Sequence, residues 1–174
     1  MSSDQTPKSA KPKIEDVILQ RLDGDMRKNA LNFAAYLRAN KISPVYTPAG
    51  SWKASNKGRG ICYIHVNSQR WCITPFLDHL NQYRETVINE RLQDIIWNSL
   101  FYCENCKQNC SHGRDMTILG KKFEKICPGR PPIEWHNPDE KAIGHIKRLL
   151  NLEKEARKDG SKSPFAHFRF YNDI

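Results

Sequence analysis

Gly60-Ile-Cys-Tyr-Ile-His-Val66-Asn-Ser-Gln-Arg70-Trp-Cys-Ile-Thr74 is the stretch on which the fold turns. Two runs rich in β-branched and aromatic residues flank a short polar turn, the pattern of a β-hairpin. Setting Val66 opposite Trp71 puts Cys62, Ile64, Val66, Trp71 and Ile73 on one face, a coherent apolar set. The other face then carries Tyr63, His65, Cys72 and Thr74. A further short strand around Ser51 to Ser55, joined through the turn Asn56-Lys57-Gly58, extends the hairpin into a meander.

Upstream the period changes to that of helices. Ile14, Val17, Ile18 and Leu22 recur at helical spacing until Asp23-Gly24-Asp25 interrupts. Met26, Ala30, Phe33, Ala34 and Leu37 then form a second stripe, with Asp25 as its expected cap and Pro44 beyond its end. Downstream, Ile88, Leu92, Ile95, Ile96 and Ser99 predict one amphipathic helix running into the first cysteine of a cluster. A last helix is expected from Asn137 as N-cap, with Pro138 at its first position, Glu140 behind and Ile143, Ile146, Leu149 and Leu150 buried. Gly160 stops it, and the aromatic segment Pro164 to Ile174 is expected to pack back in part. The fold class is therefore α+β: N-terminal helices, a small antiparallel β-meander, and later helices joined by a cysteine metal knuckle.

The chain has 174 residues, enough for one domain that buries roughly 70% of its unfolded surface. Residues 1–13 read as a flexible tail and 14–174 as the single domain, with the metal-binding segment at 103–127. The first thirteen residues hold no apolar run fit for a signal peptide, and no later stretch reaches the roughly 20 apolar residues of a membrane helix. A cytoplasmic protein with no membrane partner is the expectation. In that reducing compartment six cysteines point to metal or redox chemistry rather than to disulfides.

Cys103, Cys106 and Cys110 fall within eight residues, and Cys127 follows after a sixteen-residue loop. A C-x2-C pair presents two thiolates from one tight turn, and a third and fourth ligand complete a tetrahedron. Soft thiolates suit zinc, with an iron-sulfur cluster as the alternative. The C-x2-C-x3-C order matches neither the ferredoxin run nor the order used by radical enzymes. His112 is the alternative fourth ligand, but it lies only two residues beyond Cys110, whereas Cys127 would anchor the weakly patterned segment Met116 to Ile126. Cys62 and Cys72, on opposite faces of the meander, are expected neither to bridge nor to ligate.

A closed four-ligand site leaves no position for substrate, and it reads as structural. The deaminase signature H-x-E with P-C-x-x-C is missing, as are H-E-x-x-H and the P-loop. Cys72 beside His65 makes a nucleophile and base pair only as chance neighbours would. Thr117-Ile-Leu-Gly120-Lys121-Lys122 resembles a phosphate-binding loop only loosely. The formal charge of +9 favours acidic partners, and Lys107, Arg114, Lys121, Lys122, Lys125 and Arg130 surround the cysteines as candidate contacts to an anion, nucleic acid or another polyanion. Tyr63, His65 and Thr74 are candidates for lining a pocket. The function these readings predict is a non-enzymatic binding or interaction domain with structural zinc. A nucleic-acid-binding zinc protein and an iron-sulfur redox or sensor protein are the alternatives.

Overall fold

The computed structural model describes residues 11–104, 112–128 and 131–159. Helices α1 (Ile14–Arg21) and α2 (Gly24–Ala39) precede strands β1 (Ser43–Tyr46), β2 (Trp52–Asn56), β3 (Arg59–Asn67) and β4 (Arg70–Pro75). Short helices α3 (Arg84–Asn89) and α4 (Gln93–Trp97) follow, then a hairpin of β5 (Arg114–Ile118) and β6 (Lys121–Ile126). The two-residue strand β7 (Trp135–His136) leads into α5 (Glu140–Ala156), which ends in a 3-10 turn. The α+β class is that expected from the sequence. No helix among the described residues is long and apolar enough to cross a membrane.

The main sheet is antiparallel with strand order β1-β2-β3-β4-β7, and β5 pairs with β6 apart from it. Val66 lies opposite Trp71 and Ile64 opposite Ile73, the register expected from the apolar pattern. Trp52 faces Ile64 and Trp135 faces Ile73, so the same alternation continues into both flanking strands. This face packs under the helices: Trp52, Ala54, Cys62, Ile64, Val66, Trp71, Ile73 and Trp135 are buried together with Phe33, Leu37 and the α5 stripe Ile143, Ile146, Leu149 and Leu150. Phe33 and Trp71 meet with ring centroids 6.2 Å apart.

Helix ends depart from the expected boundaries for local reasons. Asp23, not Asp25, is the N-cap of α2. That helix closes on Lys41 at φ 56°, where Ile42 N donates to Leu37 O and Lys41 N to Arg38 O. Such a left-handed closure satisfies the last carbonyls before Pro44 is reached. The same device splits the helix expected across 88–99. Arg91 takes φ 55°, Leu92 N donates to Val87 O, and Arg91 N donates to Ile88 O. Leu92 and Val87 are thereby buried and Ile88 is left exposed. Asn137 does not cap α5. Its N–H donates to Trp71 O and its Oδ1 accepts from Trp71 N, extending the β4–β7 pairing, while Asp139 caps the helix by accepting from Ala142 N at 2.7 Å. Gly160 and the aromatic segment after it lie outside the described residues, as does most of the tail expected over residues 1–13.

Candidate metal centres

The second face of the sheet gathers side chains of a different kind. His65 lies opposite Cys72 across β3 and β4, and Cys72 lies opposite His136 across β4 and β7. Three strands thus set His65, Cys72 and His136 in one row. Glu134, two residues before His136, falls on the same face by strand alternation. One ligand atom each from Cys72, Glu134 and His136 lies within 4.8 Å of the other two. His136 Nε2 stands 3.6 Å from Glu134 Oε1, too far for a hydrogen bond. The cluster grades from a buried sulfur to an imidazole whose side chain is 47% exposed, so its outer edge is open to solvent.

Burial, followed by a hydrogen bond to Glu134, pushes the Cys72 thiol up to about 12. Burial also lowers the pKa of His65, opposed by the Glu134 charge. A cysteine nucleophile works as the thiolate, the form that burial disfavours at Cys72. Cys62 and Cys72 are free thiols on opposite faces, as the register predicts. Cys72, expected from the sequence to be a bystander, has two further ligand types brought beside it by Glu134 and His136. Glu134-Trp-His136 did hold a signal, since residues two apart share a strand face. The pairing partner of His136, Cys72, lies 64 residues upstream, is set by topology and was not legible.

The cysteine run begins beside β6. Cys103 N donates to Lys125 O at 2.7 Å and Cys127 N donates to Phe101 O at 2.9 Å, with Tyr102 bridged to Ile126 between them. Cys103 and Cys127 are therefore diagonal neighbours across an antiparallel pair, a relation that spans roughly 7–8 Å between Cα atoms. On its other edge Ile126 pairs with Arg114. Tyr102 and Arg114 thus flank Ile126 from opposite sides of β6, one residue before Cys127. His112 and Gly113, both left-handed at φ 56° and 85°, lead into Arg114. Gly113 runs so close to β6 that a Cβ there would sit 2.6 Å from Lys125 Cα. Cys106 and Cys110 lie outside the described residues, but both ends of the segment that carries them abut the end of β6 where Cys127 is buried.

The segment Met116 to Ile126, expected as a weakly patterned loop, is this β5–β6 hairpin. Leu119 and Gly120 at φ 55° and 84° form its two-residue turn between the paired Ile118 and Lys121. That geometry is a type I′ turn, so the loose likeness to a phosphate-binding loop has a purely conformational origin. Of the candidate anion contacts, Lys122 Nζ is 2.8 Å from Asp115 and 3.7 Å from Glu124. Lys121 sits over the rings of Trp97 and Phe123. Arg114 and Lys125 are exposed at the two sides of the turn beneath Gly113, and Lys107 and Arg130 lie outside the described residues. Of the candidate pocket residues, Thr74 is buried, Tyr63 packs edge-on against Phe76, and His65 is half-buried beside Cys72. An open groove of about 420 Å³ instead runs along β7, lined by Glu134 and His136 together with Ile95, Ser99, Pro138 and Ala142.

Comparison with protein-family models, curated proteins and solved structures finds no match.

Proposed function

We propose that this chain is a non-enzymatic binding or interaction domain whose segment 103–127 is organised by a structural zinc ion on Cys103, Cys106, Cys110 and Cys127. The observation that carries the reading is the backbone pairing of Phe101 to Cys103 with Lys125 to Cys127. It sets the first and last cysteine of the set on adjacent segments, and Arg114 pairs with Ile126 on the other side of β6. Proximity of that kind is what a tetrahedral thiolate site requires of its ligands. Four thiolates would close the coordination sphere and leave the ion a structural part. Binding would then fall to the surfaces that the ion holds in place. The polyanion alternative draws less support, since Lys122 is neutralised by two carboxylates and Lys121 is engaged with aromatic rings.

The fourth ligand separates this reading from a compact knuckle closed by His112. Zinc content and affinity should be measured for chain purified without chelator. Cys127→Ser should weaken zinc retention at least ~100-fold, since even outer-sphere partners of a metal site are worth 10–100-fold, and His112→Ala should leave retention nearly unchanged. The reverse ranking refutes the four-cysteine site. A visible absorption band in the fresh protein, with iron in place of zinc, transfers the assignment to an iron-sulfur cluster.

A further inference from the structure

We propose that Cys72, Glu134 and His136 form a second, separate site for a divalent transition metal, with zinc the ion best matched to the donors. Thiolate, carboxylate and imidazole are its three protein ligand types, and each bonds zinc at about 2.0–2.3 Å. A tetrahedron with such bonds has ligand-to-ligand edges of about 3.3–3.8 Å. The 3.6 Å between His136 Nε2 and Glu134 Oε1 already falls in that range, and the sulfur lies within 4.8 Å of both partners. Small rotations about the side-chain bonds therefore close the set with no backbone movement.

The scaffold supports the same conclusion. Cys72 is fixed in a central strand, His136 is paired directly with it, and Glu134, just before β7, is held by its N–H donating to Ser99 O at 3.1 Å. Sites built on strands hold ligand geometry more tightly than sites on loops. The exposed side of His136 gives an ion a path from solvent, which a buried sulfur alone would not. Three protein ligands leave a fourth position for water or for the donor atom of a small ligand, beside the groove that Glu134 and His136 border. This site is thus open where the four-cysteine site is closed, and it shares no residue with it.

The test uses the full chain, stripped of metal and titrated with Co2+ as the probe, with visible absorption and metal analysis as readouts. Two ions per chain are expected. His136→Gln, at a half-exposed position, should weaken one of them at least ~100-fold while leaving the fold intact by circular dichroism. Cys72→Ala should remove the same ion together with its sulfur-to-cobalt charge-transfer band. Cys127→Ser should spare that ion and abolish the other. Unchanged stoichiometry and spectrum in both His136→Gln and Cys72→Ala would overturn the proposal. Loss of binding in Cys127→Ser alone would then identify the four-cysteine site as the protein's single metal site, so the two readings fail separately.

Discussion

At the residue scale, Gly113 and Glu153 each settle where a segment of chain lies. An alanine at 113 would pay both for the left-handed backbone at φ 85° and for a methyl 2.6 Å from the Lys125 Cα, where only backbone could give way. The first effect costs about 1–2 kcal/mol and the second about 1–3 kcal/mol. Gly58, equally left-handed at φ 78° but facing open space, isolates the first effect. Urea denaturation should therefore rank Gly113→Ala below Gly58→Ala in stability; equal losses would show that the chain at Gly113 does not rest on β6. Glu153, fully buried on α5, accepts from His79 N at 3.1 Å, His79 Nδ1 at 2.7 Å, Tyr83 Oη at 2.7 Å and Arg157 Nε at 2.8 Å. Arg157 in turn donates to Phe76 O. The carboxylate thus ties the end of α5 to the segment after β4. Glu153→Gln keeps the shape but removes the nearer counter-charge of Arg157, leaving Asp78 Oδ2 at 3.4 Å as its remaining carboxylate, and removing one partner of a buried ion pair costs up to about 3–5 kcal/mol. A loss under about 1 kcal/mol in the same denaturation series would show the network to be dispensable.

At the scale of elements, what was legible followed from local period, and what was not followed from partners far away in the chain. The β3–β4 register came directly from alternation, because one face had to hold Ile64, Val66, Trp71 and Ile73. The core faces of α1, α2 and α5 came from helical spacing in the same way. The β5–β6 hairpin was missed because Lys121-Lys-Phe-Glu-Lys-Ile126 buries only Phe123 and Ile126, so a bulged strand shows no clean alternation. Glu153 and His79 were invisible for a different reason: a buried polar network has no period, and its members are separated by 74 residues. The cysteines proposed as zinc ligands were legible as a cluster, whereas the Cys72, Glu134 and His136 group needed the topology of β7. Exposed charge pairs join some of these elements. Arg38 holds the Glu15 carboxyl below its ordinary value and links α2 to α1, and Arg148 does the same to Glu90, linking α5 to the end of α3. Carboxyls whose folded pKa is depressed contribute stability that is present above their unfolded pKa, near 4.3, and is lost as pH falls through the folded value. Both pairs are largely exposed, so each should contribute below about 1 kcal/mol. Denaturation midpoints of Arg148→Met and the parent chain should differ at neutral pH in low salt and converge in acid; a constant gap would mean that Arg148 acts through packing instead.

At the scale of the whole molecule, the layout predicts what chelation will and will not undo. The main sheet is covered on one face by α1, α2 and α5, and its buried apolar set, which runs from Ile14 to Ala156, includes neither Cys103 nor Cys127. Burial of that extent stabilises a fold without a metal, as expected for a chain of this length. The β5–β6 hairpin depends more on its surroundings. It meets the rest through the Tyr102 to Ile126 bridge, the Trp97 Nε1 bond to Ile118 O and the packing of Trp97 against Phe123. Strand β7 is held to β4 by two residue pairs and by the two Asn137–Trp71 hydrogen bonds that extend them. Removal of all metal should therefore raise amide exchange at two separate places, around 101–103 with 114–127 and at 134–136, while 61–66 and the buried turns of α2 and α5 keep their protection. His136→Gln should reproduce the second change without the first, and Cys127→Ser the first without the second. Loss of protection throughout the sheet on chelation would mean that the ions organise the entire domain, as in proteins that fold only when metal is bound. Protection unchanged at 134–136 would leave β7 resting on its two strand pairs, on the Asn137–Trp71 bonds and on Trp135, whose Nε1 donates to Ile95 O at 3.0 Å, and would count directly against an ion at Cys72.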